Sequence, residues 1–256
     1  MTAFQNIHSA LNHFFFFLRS HFKLSKSGYT EIPARENFKT NEIQKRKITN
    51  LKKIFSVHFE EQFNQIHALE NYNYLDLLFH AFEAAKISIP RNASVIDVGS
   101  KNFSYAAALH AFFHPENLTG IEIDAYKLYH DGHSRYDYAR YFSNQLPNTF
   151  YLAEDFCRLN LNADIITCFY PFVFIEPLLA WTLPIKHFKP AEIFNRMAKC
   201  LNKHGLLVLV SQGDDEAEKA KDLTKKSGLT LVGIHREQEL IGVVNDIPII
   251  SLWQKT

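Results

Sequence analysis

Three carboxylates stand where short apolar runs give way to polar residues: Asp97 in V-I-D-V-G-S, Glu122 in G-I-E-I-D and Asp155 in E-D-F. An ionised carboxylate offers two acceptor oxygens and no donor, so it suits hydroxyls, amines and backbone N–H groups. Each also has a plainer use. Asp97 and Asp155 are favoured helix caps, a service Ser100 and Asn102 can also provide, and Glu122 can close a strand at the surface.

Other reactive groupings are thinner. His110 and His114, in H-A-F-F-H, have the spacing of a metal pair on one helix face. They lack the glutamate of a zinc-protease helix and a third ligand, so no metal is expected. His130 and His133, in H-D-G-H-S-R, read as a polar surface turn. Tyr136, Tyr138 and Tyr141 interleave with Arg135 and Arg140, a composition that suits bases and phosphates but equally a crossover helix with packed rings and solvated charge. Cys157, Cys168 and Cys200 are odd in number and without C-x-x-C spacing, which argues against a disulfide framework and a zinc knuckle. Cys157 and Cys168 read as small buried hydrophobes, and a reducing cytosol is the expected compartment.

The elements that position these residues show in the alternation from residue 87 onward. Apolar runs at 93–98, 118–123, 149–153, 163–169, 205–211, 229–234 and 248–253 read as seven strands, the first bounded upstream by Pro90. Helical stretches separate them at 104–113, 134–144, 176–183, 190–201 and 216–227. Such alternation implies right-handed crossovers and an α/β, doubly wound, mostly parallel sheet whose ligands bind beyond the carboxyl ends of the strands.

Upstream lies an extension of different character. Residues 1–55 carry ten basic side chains against three acidic ones, a net +7, which leaves −6 for the remainder of a chain whose total is +1. Opposite signs let the two parts attract each other, and the basic part also suits RNA or another anion. Phe14 to Phe17 form a short aromatic helical segment with packing as its default use, and residues 25–40 read as a loop. Helix is expected from about residue 41 to 86 with a break at 68–72. The expected division is a helical extension over 1–69 and an α/β domain over 70–256. The 46% hydrophobic content supplies a core; no Lys or Arg precedes Arg19 and the apolar run near Phe14 is far too short to span a bilayer, so neither a signal peptide nor a membrane helix is expected.

The order V-I-D-V-G-S-K-N-F-S, helix, G-I-E-I-D, then E-D-F resembles the class I S-adenosylmethionine-dependent methyltransferases over residues 70–256. The resemblance implies a seven-stranded Rossmann-like sheet with the seventh strand antiparallel beside the fifth. It implies S-adenosylmethionine as methyl donor, with Asp97, Gly99, Ser100 and Lys101 closing the first strand and wrapping the methionine part. Glu122, followed by Ile123, would hold the ribose hydroxyls, and Asp155 with Phe156 the adenine. Phe169 would floor the sulfonium, and Tyr170 would face the acceptor as the candidate catalytic residue.

One departure stands out. The family's loop reads D-x-G-x-G-x-G, and Lys101 and Phe103 replace its second and third glycines. Glycine suits such a loop because the backbone approaches the ligand at positive φ, so these two side chains must point away or reshape the pocket. The same departure leaves open a non-catalytic scaffold of this fold. The basic extension leaves open an RNA-modifying member, beside a small-molecule acceptor. A nicotinamide dehydrogenase is disfavoured, because G-S-K-N-F-S lacks the G-x-G-x-x-G fingerprint.

Overall fold

The run V-I-D-V becomes the centre of a seven-stranded sheet with β1 at Ser94–Val98, β2 at Asn117–Ile121, β3 at Thr149–Leu152, β4 at Ala163–Phe169, β5 at Leu201–Gln212, β6 at Thr230–Arg236 and β7 at Pro248–Gln254. The structure is a computed structural model that describes residues 3–89, 91–242 and 247–256; Pro90, the expected upstream bound of the first strand, lies outside them. Strand order is β3-β2-β1-β4-β5-β7-β6. All neighbours are parallel except β7, which runs antiparallel between β5 and β6, as the resemblance implied. The chain moves outward from β1 through β2 to β3 and then returns to β4 on the other side of β1. That reversal opens a crevice at the carboxyl ends of β1 and β4.

β5 begins four residues earlier than its apolar run. Its register against β4 shifts between Ala163 and Ile165. A side chain at Gly205 would come within 2.9 Å of the Asn202 and Asp164 carbonyls, so only glycine lets the strands close there.

Helices cover both faces. α1 (Ala3–Phe22), α2 (Glu42–Phe55) and α3 (Gln65–Ala85) precede the sheet, α4 (Ala106–Phe113) and α5 (Arg135–Asn144) cross over on one side, and α6 (Ile175–Ala180), α7 (Pro190–Cys200) and α8 (Gly213–Lys226) follow β4 and β5. Hydrogen bonds mark the helix starts. Asn41 and Gln44 form a capping box on α2, Asn64 accepts two N–H groups of α3, and Ser134 with Asp137 boxes α5.

The helix break expected at 68–72 lies instead between 56 and 64. Ser56 ends α2 at φ 54°, a short turn follows at Phe59–Glu61, and Asn64 caps the next helix. Residues 68–72 stay helical because Ala68, Asn71 and Tyr72 are buried, and α3 packs on α4. Residue 69, the expected domain boundary, therefore lies inside α3. Ile48, Leu51 and Phe63 before it share one core with Tyr72, Leu78 and Phe82 after it.

α1 lies over the segment after β4. Asn12, Phe16 and Arg19 recur at the spacing of one helix face and point inward. Asn12 donates to the Leu179 and Leu183 carbonyls at 3.2 Å each, and the Phe16 ring lies 4.8 Å from that of His187. The packing role expected for the Phe run thus holds for Phe16 alone. Phe14, Phe15 and Phe17 are each 55% exposed, because the inward stripe is set by the polar anchors Asn12 and Arg19. Among the described residues, no helix is long and apolar enough to cross a membrane.

Candidate nucleoside pocket

A cavity of about 380 Å³ lies in the crevice at the carboxyl ends of β1, β2, β4 and β5, roofed by residues that follow β4. That volume suits a ligand the size of a nucleoside derivative. The loop after β1 enters it with three residues in the left-handed region: Gly99 at φ 77°, Lys101 at 53° and Phe103 at 55°. A Cβ on Gly99 would meet nothing within 4 Å, so the backbone here borders open space.

The two replaced glycines keep a glycine-like backbone, and their side chains leave the crevice by different routes. Phe103 is fully buried and lies over Gly120 of β2, where a Cβ would stand 3.0 Å from its ring. Gly120 is therefore what accommodates Phe103. Lys101 stays at the cavity wall with its ammonium 5.8 Å from the centre of the Trp181 ring. Its N–H donates to Glu122 at 2.9 Å and its carbonyl accepts the Tyr151 hydroxyl at 2.6 Å.

Glu122, the first residue past β2, lines the cavity and is 7% exposed. Its other oxygen accepts the Asp124 N–H at 2.8 Å. Burial pushes its carboxyl above the usual range, and the Arg135 guanidinium, 3.8 Å away, opposes that push. Arg135 is itself buried at the start of α5, 3.6 Å from Asp124 and 4.8 Å above Trp181, with a buried Nε that has no partner among the described residues. Ile123 borders the same wall.

Asp155 and Phe156 line the cavity beyond β3. Asp155 also caps the short turn after it, accepting the Cys157 N–H at 3.0 Å, so its capping and ligand-facing uses coexist. Phe169 ends β4 and Tyr170 follows at φ 55°, both at the cavity floor, with Pro171 and Phe172 completing the F-Y-P-F tract there.

Asp97 and Ser100 lie beneath the pocket and do not line it. Asp97 is fully buried, accepting the Tyr105 hydroxyl at 2.7 Å and the Thr167 hydroxyl at 2.6 Å. It caps no helix, since α4 follows Tyr105 without a side-chain cap. Burial raises its carboxyl to about 7 against the pull of those two hydroxyls. Ser100 donates its N–H to the Ile121 carbonyl, and its buried hydroxyl is without a partner among the described residues.

No protein-family model matches the chain, and no curated protein matches its sequence. Solved structures do match in fold. The N-methyltransferase NodS of Bradyrhizobium japonicum, in complex with S-adenosyl-L-homocysteine, superposes with TM-score 0.53 at 13% identity, over 81% of this chain and 97% of NodS. A methyltransferase of Pyrococcus furiosus gives 0.50 at 12%, over 83% and 96%. A candidate RNA methyltransferase of Pyrococcus horikoshii gives 0.50 at 12%, over 85% and 98%. The chain has the class I methyltransferase fold.

Within that methyltransferase fold, several pocket residues had no signal in the sequence. Arg135 reads as solvated charge on a crossover helix and is instead 3% exposed, held among Glu122, Asp124 and Trp181. Glu70 and Tyr74 of α3 and Glu216 of α8 also reach the cavity, from elements far apart in sequence. The interleaved tyrosines of α5 pack, with Tyr138 stacked 3.6 Å from Tyr29. His130 and His133 stay outside the cavity, and His114 is the left-handed C-cap of α4 rather than part of its face. Cys157 and Cys168 border the cavity, yet burial pushes both thiols up, Cys157 to about 11, so neither is a thiolate.

Proposed function

We propose that this protein binds S-adenosylmethionine in the crevice and transfers its methyl group to a small-molecule acceptor. The observation that carries the reading is the union of Glu122 with the Gly99–Lys101 backbone at one wall of a cavity of fitting size. The donor set fits the group: Glu122 accepts ribose hydroxyls, Asp155 accepts the adenine amine, and the open face of Gly99 admits the methionine part.

S-adenosylmethionine supplies the chemistry as an electrophilic methyl on a sulfonium. The chain's own residues align and desolvate. Phe169, Tyr74 and Tyr105 floor the cavity with rings, Tyr74 stacked on Phe169 at 4.9 Å, which keeps water from the reacting atoms. Alignment of two reactants in this way is worth several kcal/mol. Tyr170 positions the acceptor rather than removing its proton, because burial raises its hydroxyl to about 12.

A small molecule is favoured over RNA by the fate of the basic extension. Arg19, Arg35, Arg46, Lys47 and Lys52, half of its ten cations, are ion-paired to acids of the same chain. The cavity is also roofed by the segment after β4, on which α1 packs, and this suits a compact acceptor.

Calorimetric titration with S-adenosylmethionine and S-adenosylhomocysteine tests the reading. Micromolar binding of either is expected. A cooperatively folded chain that binds neither is a scaffold of this fold, and the proposal is then withdrawn. RNA binding that weakens steeply with salt would move the acceptor to nucleic acid.

A further inference from the structure

The chemical class of the acceptor can be argued from the charges at the far end of the cavity, on the reading that the near end holds the methyl donor. Glu216, in the first turn of α8, lines that end and is half buried. One of its oxygens accepts the Gln212 N–H at 3.1 Å, a helix-capping use that leaves the second oxygen without a partner among the described residues. Burial alone raises its carboxyl, to about 7, with no cation acting to lower it. Glu70, on α3, accepts the Ser104 hydroxyl at 2.5 Å and, like Glu216, makes no ion pair among the described residues. Both carboxylates act on the Tyr170 hydroxyl, which places Tyr170 in the field of each.

No cation lining the cavity pairs with Glu70 or Glu216 among the described residues. Lys101 and Arg135 lie against Trp181, Arg135 also faces Glu122 and Asp124, and Lys189 pairs with Glu192 at 3.3 Å. The acceptor end is therefore negative and lined by the rings of Tyr74, Tyr105, Phe169 and Tyr170. Carboxylates withdrawn from water without a counter-ion favour a cationic guest, and ring faces attract the same charge. A carboxylate or phosphate guest would be repelled there.

We propose that the acceptor is a primary or secondary alkylamine, held as its ammonium between Tyr170 and Glu216 and methylated on nitrogen. The ammonium passes one proton to the Glu216 carboxylate. The freed nitrogen lone pair forms the N–CH3 bond while the S–CH3 bond breaks, and the electron pair of that bond stays on sulfur as the neutral thioether. The positive charge of the sulfonium leaves on the methylated ammonium, and Glu216 returns its proton to water. Glu70 adds a second negative field and is not required to touch the amine.

The test uses the full chain saturated with S-adenosylhomocysteine and titrated with phenethylamine, phenethyl alcohol and phenylacetate, which share a ring and differ in charge. The amine is expected to bind at least about tenfold more tightly than the alcohol, and phenylacetate not to bind, as one charge-assisted contact implies. With S-adenosylmethionine, mass spectrometry should find methylated amine and no methyl ether or ester. Glu216→Gln should lose about tenfold in amine affinity while keeping that for S-adenosylhomocysteine. Glu70→Gln, on a separate element, guards against a folding defect in the first variant and should lower amine affinity less. Equal binding of amine and alcohol, preference for phenylacetate, or an unchanged Glu216→Gln overturns the inference. If S-adenosylhomocysteine binds and amine selectivity is absent, this inference alone falls; if it fails to bind, the donor-site reading falls and takes this one with it.

Discussion

Arg19 of the first helix grips Asp124, two residues beyond Glu122, through parallel bonds of 2.5 Å from Nε and 3.0 Å from Nη2. The same guanidinium donates to the Thr182 carbonyl at 3.0 Å, so one side chain ties α1, the wall beside β2 and the roof after α6. Asp124 is 1% exposed, and removing its partner leaves a buried carboxylate that Arg135 reaches only at 3.6 Å. Arg19→Ala should therefore cost about 2–4 kcal/mol of stability, at the lower side of the range for a broken buried pair. Urea unfolding measures it. Pairing it with Asp124→Asn should recover part of the loss, and additive effects of the two substitutions would show the contact to be idle.

Glu122 serves two backbone N–H groups as well as the proposed ribose contact. Glu122→Ala should weaken S-adenosylhomocysteine binding by about 1.5–3 kcal/mol, the scale of a hydrogen bond to a charged group. Glu122→Gln, which keeps one acceptor oxygen for Lys101 or Asp124, should lose less. Calorimetry on folded variants checks both, and unchanged affinity in Glu122→Ala would remove this residue from the site.

Lys101 and Phe103 both hold φ near 54° yet should respond to glycine in opposite ways. At Lys101 the half-buried side chain makes only a loose 5.8 Å contact with the Trp181 ring, so relief of left-handed strain dominates and Lys101→Gly should hold or raise stability, by up to about 1 kcal/mol. At Phe103 the ring fills space over Gly120, so Phe103→Gly should cost about 3–5 kcal/mol through the cavity it leaves. Thermal melts of the two variants decide this, and a large loss for Lys101→Gly would contradict the strain argument.

The buried Asp97 carboxyl makes stability depend on pH. Its folded value of about 7 stands above its ordinary 3.8, so between these values the native state keeps a proton that the unfolded chain has released. Stability from this group is full below about pH 4 and declines as pH rises towards about 7, by a few kcal/mol in all. Asp97→Asn preserves an acceptor and a donor for the Thr167 and Tyr105 hydroxyls without a titrating proton. Its urea midpoint should therefore vary less than that of the parent chain across this pH range. Identical pH profiles would show Asp97 to be ionised throughout.

The order of strands and helices was legible because it is written in local periods. Buried parallel strands are short apolar runs, helices between them have their own spacing, and one chain direction permits one handedness of crossover. Periodicity placed Glu122, Asp155 and Phe169 at or just beyond the strands, whereas their pairing with one ligand came from the resemblance. The helix break near residue 60 was missed because Asn64, not a glycine or proline, starts α3, and a cap is decided by which side chain meets which free N–H. The charge pairing was out of reach for the same reason of distance. Nothing near Arg135 in sequence announces that it is buried, and Arg19 finds Asp124 across 105 residues. Glu70 and Glu216 meet at one cavity only after α3 and α8 have docked on the sheet. Phe103 can stand in a glycine's backbone conformation because Gly120, on the adjacent strand, leaves room for its ring. Local periodicity thus dictated the architecture, whereas charge neutralisation, side-chain room and the sign of the acceptor end arise from contacts between distant segments, which only the folded chain brings within reach.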